Sequence, residues 1–145
     1  MSDKFIPLQD GFSVAPQITK DDVLRAAKEG FALIVNNRPD GEMIGQPTSN
    51  EIEAAAQAAG IAYAYIPVDG RGISPGHISA LKTALEEIDG KALAYCRSGA
   101  RSTILRAYLS ATEGRAANEI IAEAAAAGYD ISGQRPALEA LNDQN

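Results

Sequence analysis

The sequence contains only one cysteine and one histidine among its 145 residues. A single cysteine excludes an internal disulfide, as expected in a reducing cytoplasm, which is the location we predict. One cysteine and one histidine also cannot supply the usual four ligands of a structural zinc site. No carboxylate spacing typical of a metal site is present either, so we expect no metal and no other cofactor.

The chain also lacks an apolar run long enough to span a membrane, and its start, MSDKFIPLQD, has no signal-peptide pattern. The net charge of −6 argues against nonspecific binding to nucleic acid. We therefore expect a soluble protein with neither membrane nor nucleic acid as a partner. The length, the globular composition and the absence of internal repeats predict a single domain over residues 1–145.

Short apolar runs alternate with alanine-rich amphipathic stretches along the chain. Strands are predicted at 31-FALIV-35, 61-IAYAYIPV-68 and 91-KALAY-95, with a shorter extended piece at 12-FSVAPQ-17. Helices are predicted near 19–29, 48–60, 74–88, 102–111, 116–127 and 135–142, and the first three of them begin at residues that commonly cap helices. This alternation predicts a three-layer α/β/α fold with a mostly parallel central sheet, whose ligands bind at the carboxyl ends of the strands.

The cysteine lies at such a strand end, in the segment 94-AYCRSGARS-102. The amides of the turn and of the following helix N-terminus would point into one concave space that favours anions. Arg97 and Arg101 keep their charge near neutral pH, and Gly99 permits a backbone conformation that a side chain would hinder. A thiol in this field is expected to ionise and to act as a nucleophile without a neighbouring base. We therefore predict that Cys96 is a catalytic nucleophile rather than a buried small hydrophobe.

Each residue of this turn has a predicted role. Arg101, nearest the helix start, is the predicted catalytic anion ligand, and Arg97 is expected to face solvent at the edge of the site. Ser102 could donate a further hydrogen bond to the thiolate, and one of the two arginines could instead lie at the surface or pair with Asp69 or Glu113. The predicted substrate-binding residues surround the anion: Arg97, Ser98, Gly99, Ala100 and Ser102.

The segment 96-CRSGARS-102 resembles the active-site loops of rhodanese-type sulfurtransferases and cysteine-dependent phosphatases. With 12-FSVAPQ-17, 34-IVNNRPDGE-42 and 65-YIPVD-69, the chain resembles, over about residues 5–112, the bacterial beta-lactamase hydrolase-like proteins, phosphatase-like domain. This resemblance implies a cysteine-phosphatase-like or rhodanese-like fold. Some members are labelled sulfurtransferases and some are fused to a metallo-beta-lactamase-type domain, which suggests a functional link to a persulfide enzyme of that type.

The spacing within the loop favours sulfur over phosphorus as the atom attacked. Four residues separate Cys96 from Arg101, whereas the loops of tyrosine and dual-specificity phosphatases resemble His-Cys, five residues and Arg, and here Tyr95 precedes the cysteine. A shorter loop makes a smaller cradle, while a phosphoryl group presents three equatorial oxygens that must all be held. We therefore predict a sulfurtransferase that forms a Cys96 persulfide from an anionic sulfane-sulfur donor. Since no second cysteine is present, an external thiol or sulfite would accept the sulfur.

Two alternatives remain open. A phosphatase would need a general acid, for which Asp69 is the candidate, although Asp69 could equally be a turn residue. A redox- or persulfide-sensing module would use the same cysteine to report to a partner. His77 could serve as an acid or base but is expected to be solvated or capping, and Arg38 could bind an anion but is expected to pair with Asp40 or Glu42 and shape its turn.

Overall fold

The computed structural model describes residues 4–143. The strands in this range are β1 (Ile6–Gln9), β2 (Phe12–Ala15), β3 (Phe31–Asn36), β4 (Ala62–Tyr65) and β5 (Lys91–Tyr95). The α-helices in the same range are α1 (Lys20–Lys28), α2 (Ser49–Ala58), α3 (Pro75–Glu86), α4 (Ala100–Thr112), α5 (Ala117–Ala126) and α6 (Arg135–Asp143), and a 3-10 turn at Ser132–Gln134 precedes α6.

The strands form one sheet in the order β1-β2-β5-β3-β4. Strand β5 lies in the middle and pairs in parallel with β2 on one side and with β3 on the other, and β4 continues the parallel arrangement at the edge. Only β1 runs antiparallel among the described strands, pairing with β2 at the opposite edge. The predicted mostly parallel sheet is confirmed, whereas β1 was not predicted, because its four residues contain Pro7 and show little strand pattern.

Two hydrophobic clusters lie on the two faces of the sheet. Along β5, Leu93 and Tyr95 pack toward the cluster that contains residues of α1 and α2, while Ala92 and Ala94 pack toward the cluster that contains residues of α3 to α6. Since successive residues of a strand point to opposite faces, a continuously apolar β5 can be buried on both sides. The arrangement confirms the predicted three-layer α/β/α fold.

The predicted helix starts agree with the structure at the capping residues. Thr19, Thr48 and Ser74 each accept a hydrogen bond from the backbone amide three residues later, as N-caps do. Helix α4 begins at Ala100, two residues earlier than predicted, and its N-cap is Gly99 in the left-handed conformation with a φ of 94°. This early start matters because it brings the helix N-terminus directly to the cysteine.

Strand β4 is shorter than the predicted strand 61–68. Past Tyr65, the amides of Ile66 and Val68 still donate to the carbonyls of Asn36 and Asn37, at 2.9 and 3.0 Å. Pro67 between them has no amide to donate, so regular pairing stops while the segment stays attached to the end of β3. No helix within residues 4–143 is both long and apolar enough to cross a membrane.

Candidate active site

The carboxyl ends of the three central strands hold the cysteine loop from both sides. On the β2 side, the Cys96 amide donates to the Ala15 carbonyl at 3.4 Å, and the Gln17 amide donates to the Arg97 carbonyl at 3.3 Å. On the β3 side, the Asn37 amide donates to the Tyr95 carbonyl at 2.8 Å. The loop therefore leaves the sheet at a defined position, at the edge where parallel sheets bind ligands.

The thiol of Cys96 receives a hydrogen bond from the backbone of its own loop. The Gly99 amide lies 3.1 Å from Cys96 Sγ. Thr103, one turn into α4, donates both its amide and its hydroxyl to the Gly99 carbonyl, at 3.0 and 2.8 Å. The sulfur therefore lies at the N-terminus of α4, where the helix dipole favours negative charge. Cys96 is buried, with 1% of its surface exposed.

Tyr129 covers the same turn, from a position far along the chain. Its hydroxyl donates to the Ser98 carbonyl at 2.9 Å, and a Cβ at position 99 would lie 2.2 Å from that hydroxyl oxygen. Burial, and the nearby charge of Cys96, raise the pKa of Tyr129. The sequence analysis missed Tyr129, because no local signal connects a tyrosine after α5 to the cysteine loop.

Arg101 lies beside the cysteine, as predicted. Its Nη1 donates to Glu42 Oε2 at 2.8 Å and to the Val68 carbonyl at 2.7 Å, and its Nη2 donates to Glu42 Oε1 at 2.9 Å. The hydrogen bonds to Glu42 raise the pKa of Arg101 against the opposing effect of burial, and interactions with Cys96 raise it further. The guanidinium is thus fixed through one end and still reaches the sulfur.

The expected alternative partners of the loop arginines are occupied elsewhere. Asp69 pairs with Arg71 at 2.8 Å, and Glu113 pairs with Arg106 at 3.3 Å. Glu42 was not predicted to belong to the site. Its pairing with Arg101 therefore corrects the expected partners, Asp69 and Glu113. Arg97 is exposed, as expected.

Glu42 also binds Arg38, so one carboxylate joins two guanidinium groups. Arg38 Nε lies 3.0 Å from Glu42 Oε1, as the sequence analysis expected, and Arg38 Nη1 donates to Gln17 Oε1 at 3.0 Å. The Arg38 side chain is only 4% exposed. Hydrogen bonds from Arg101 lower the pKa of Glu42 although burial opposes them, and Arg38 lowers it further.

Ser102 does not donate to the thiolate, and that prediction is wrong. Its hydroxyl donates instead to Asn37 Oδ1 at 2.8 Å, and Asn37 Nδ2 donates to the Ile66 carbonyl at 2.9 Å. Both polar side chains are fully buried, so their hydrogen-bonding groups need partners inside the protein. Ser102 therefore joins α4 to the end of β3, and the Gly99 amide takes the position at the sulfur.

Asp69 is not arranged as a proton donor in this structure. Its carboxylate accepts hydrogen bonds from the amide and the guanidinium of Arg71, at 2.9 and 2.8 Å. These contacts with Arg71 lower the pKa of Asp69 to about 2. A carboxyl group with such a pKa is ionised near neutral pH and has no proton to give. His77 caps α3, with its Nδ1 accepting the Ser74 amide at 2.9 Å, which agrees with the expected capping role.

A groove of about 580 Å³ lies beside the segment that follows β4 and the start of α3, and neither Cys96 nor Arg101 lines it. Tyr65, Pro67 and Asp69 line it and alternate along the chain with the buried Ile66 and Val68. The groove is linked to Arg101 only through the backbone, because Arg101 binds the carbonyl of Val68, which lies between the lining residues Pro67 and Asp69. Within residues 4–143, no group of three or more histidine, cysteine, aspartate or glutamate side chains is placed to hold a metal ion.

Comparison with known proteins identifies the family. Residues 4–114 match the family model described as beta-lactamase hydrolase-like protein, phosphatase-like domain. A beta-lactamase hydrolase-like protein of Xylella fastidiosa is 33% identical over 129 residues, and one of Agrobacterium fabrum is 35% identical over 112 residues. These alignments cover 88% and 77% of this chain but only 30% and 26% of the relatives, so the chain spans less than a third of their length.

Solved structures show the same fold. A Neisseria meningitidis protein with a provisional phosphatase assignment superposes with a TM-score of 0.86 at 30% identity, covering 97% of this chain and 99% of the other. Tk-PTP in its active form superposes with a TM-score of 0.79 at 14% identity and full coverage of both chains, which shows the fold alone. The comparisons favour the phosphatase alternative over the predicted sulfurtransferase. The chain belongs to the phosphatase-like domain family of the beta-lactamase hydrolase-like proteins and has the fold of the cysteine phosphatases.

Proposed function

We propose that this chain is a cysteine-dependent phosphatase whose Cys96 thiolate attacks the phosphorus atom of an anionic substrate. The observation that carries the proposal is the position of Cys96 Sγ, 3.1 Å from the Gly99 amide at the N-terminus of α4 and beside Arg101. On a fold shared with cysteine phosphatases, this arrangement combines an anion-binding helix end, a fixed guanidinium and a nucleophile. The Neisseria meningitidis protein, which is 30% identical and has a provisional phosphatase assignment, supports the same proposal.

The reaction would proceed in two steps. In the first step, a bond forms between Cys96 Sγ and phosphorus while the bond from phosphorus to the leaving oxygen breaks, and that oxygen departs with the electron pair. Arg101 and the amides of the first turn of α4 would hold the equatorial oxygens as charge develops on them. In the second step, water attacks the phosphocysteine, loses a proton to solvent and releases inorganic phosphate, which restores the thiolate.

The state of Asp69 restricts the proposed substrates. A carboxyl group whose pKa is about 2 cannot protonate the leaving oxygen near neutral pH. Without a proton from Asp69, we expect the best substrates to have a leaving oxygen that is stable as an anion, as it is in an aryl phosphate, an acyl phosphate or a diphosphate. Alkyl phosphates would be poor substrates, because an alkoxide leaves only when it is protonated.

Sulfur transfer is the second candidate, and two observations favour it. Four residues separate Cys96 from Arg101, and the cysteine is 1% exposed, so a terminal sulfur atom would fit more easily than a phosphoryl group. Cys96 would attack the outer sulfur of thiosulfate or glutathione persulfide, and sulfite or the glutathione thiolate would leave without an acid. An external thiol would then take the sulfur from the Cys96 persulfide and leave the thiolate behind.

One set of assays decides between these readings. Wild-type protein and Cys96→Ser are compared on p-nitrophenyl phosphate, glycerol phosphate, thiosulfate and glutathione persulfide. We expect wild type to hydrolyse the aryl phosphate, to leave the alkyl phosphate nearly untouched, and to lose the activity in Cys96→Ser. Acid quenching should trap phosphate on Cys96.

Other outcomes refute the phosphatase. If the protein turns over a sulfur donor through a Cys96 persulfide and does not hydrolyse the aryl phosphate, it is a sulfurtransferase and not a phosphatase. A single stoichiometric modification of Cys96 with no turnover of any substrate would instead support the sensing module. In both cases mass spectrometry of the intact protein identifies the adduct.

A further inference from the structure

The side chain of Arg38 crosses the end of the strand that carries the cysteine. Arg38 follows β3, and its Nη1 donates to the side chain of Gln17, which follows β2, at 3.0 Å. Strand β5 lies between β2 and β3 in the sheet. A side chain that joins the ends of β3 and β2 must therefore span the end of β5, where Cys96 begins the loop.

The same guanidinium is joined to the anion ligand through one carboxylate. Arg38 Nε and Arg101 Nη2 bind the same oxygen, Glu42 Oε1, at 3.0 and 2.9 Å, and Arg101 Nη1 binds Oε2 at 2.8 Å. Glu42 alone, on an exposed loop, could take many orientations. Arg38 is buried and also binds Gln17, so its contact with Glu42 restricts the orientation of the Glu42 carboxylate.

The way in which Glu42 binds Arg101 leaves part of the guanidinium available. An arginine side chain has five N–H donors in a planar fork. Glu42 and the Val68 carbonyl take both donors of Nη1 and one donor of Nη2. The Nε donor and the second Nη2 donor form the side-on edge of the fork, which suits two oxygens of one anion. Arg101 follows Cys96 by five positions in the same loop and interacts with it electrostatically, so this guanidinium lies near the sulfur.

We propose that Arg38 is a positioning residue of the anion site: it fixes Glu42, and Glu42 fixes Arg101 so that its free edge remains available to the anion bound at Cys96. The inference rests on the anion site of the proposed function but not on the identity of the substrate. The two guanidinium groups and the carboxylate that they share carry a net charge of +1, which offsets the negative charge of the Cys96 thiolate. Arg38 thereby has a functional role beyond shaping its turn.

The test measures anion binding without turnover. Cys96, the sole cysteine of the sequence, is treated with iodoacetamide. Inorganic phosphate bound in the site should slow the alkylation, and the dependence of the rate on phosphate concentration gives an apparent Kd. The variants are Arg38→Met, Glu42→Gln and the double variant. We expect each single variant to weaken phosphate binding on the order of tenfold, within the range for coupled neighbours. Because Arg38 acts through Glu42, the double variant should bind phosphate as tightly as the single variant with the weaker binding.

Arg106 supplies a matched control. Its side chain is also partly buried, at 13% exposure, and also pairs with a glutamate, Glu113. Like Arg38, it has a buried side-chain nitrogen without a hydrogen-bond partner among the described residues. Arg106→Met should therefore lower the melting temperature much as Arg38→Met does, but should leave phosphate protection of Cys96 unchanged.

Several results would overturn the inference. Additive losses in the double variant would show that Arg38 does not act through Glu42, and equal weakening in Arg106→Met would show that lost stability explains the effect. If Arg38→Met does not fold, unchanged phosphate binding in Glu42→Gln refutes the inference by itself. If phosphate does not slow alkylation of Cys96 in the wild-type protein, the anion site is absent and the inference is wrong. If phosphate protects but p-nitrophenyl phosphate is not hydrolysed, the proposed phosphatase fails while the protection data still decide the role of Arg38.

Discussion

Replacing Gly99 by alanine tests the geometry that holds the candidate nucleophile. Gly99 adopts a φ of 94°, which an L side chain rarely takes. An added Cβ would also lie 2.2 Å from the Tyr129 hydroxyl oxygen and 3.4 Å from the Ala15 carbonyl oxygen. The substitution should therefore move the turn away from Tyr129, and with it the amide that donates to Cys96 Sγ.

Two separate penalties set the expected size of the effect. A left-handed backbone costs a non-glycine residue about 1–2 kcal/mol. Crowding against Tyr129 adds about 1–3 kcal/mol, the usual range for overpacking. For a chain of 145 residues, the sum corresponds to a melting temperature lowered by roughly 5–15 °C. Loss of the amide hydrogen bond to the sulfur, worth about 1.5 kcal/mol, should slow alkylation of Cys96 by at most about tenfold at neutral pH.

The matched control is Gly60→Ala. Gly60 has a φ of 79° but no atom within 4 Å of its added Cβ, so it should show the backbone penalty alone. Thermal unfolding and iodoacetamide kinetics are measured for both variants and for Gly99→Ala combined with Tyr129→Phe, which removes the nearest oxygen. The reasoning fails if Gly99→Ala is no less stable than Gly60→Ala and Cys96 reacts at the wild-type rate. It also fails if Tyr129→Phe does not recover part of the lost stability.

Three further predictions concern the surrounding network. Arg71→Ala removes the contacts that lower the pKa of Asp69. In this variant the pKa of Asp69, measured by carboxyl NMR titration, should return toward its usual range, and a pKa that stays near 2 contradicts the assigned cause. The lowered pKa of Glu42 stabilises the folded state above the unfolded carboxyl pKa, about 4.3, and this contribution is lost as pH falls through the folded value. Wild type should therefore be more stable than Glu42→Gln at pH 7, with a difference in melting temperature that shrinks as pH falls below about 4.5, and a constant difference would exclude the linkage. Ser102→Ala leaves buried Asn37 Oδ1 without its donor and should cost about 1–3 kcal/mol in urea unfolding; a cost below about 0.5 kcal/mol would show that the bond matters little.

Much of the fold was predictable because its signals are local. The caps at Thr19, Thr48 and Ser74 each involve a residue three positions away, and the buried strands show as short apolar runs. Edge strand β1 was missed because four residues with a proline carry little pattern, and its stability comes from pairing with β2. The register of such a strand depends on its neighbours in the sheet rather than on its own residues.

The candidate site also has a part that local sequence predicts and a part that it does not. Cys96, the turn after it and the helix N-terminus are contiguous in the chain, so the sequence could indicate a thiolate in an anion-binding loop. The partners of that loop are distant: Glu42 is 59 positions from Arg101, Asn37 is 65 positions from Ser102, and Tyr129 is 31 positions from Ser98.

The strand–turn–helix arrangement around Cys96 and the four-residue spacing to Arg101 could be read from the sequence, because both are properties of adjacent residues. Three contacts could be seen only in the folded chain: Glu42 binds Arg101, Ser102 donates to the buried Asn37, and Arg71 binds Asp69. Each of these contacts was one of several that the residue types allowed. Which contact forms depends on how the strand ends and loops pack against one another. Because these segments are distant in the chain, no single segment of the sequence predicts the contact.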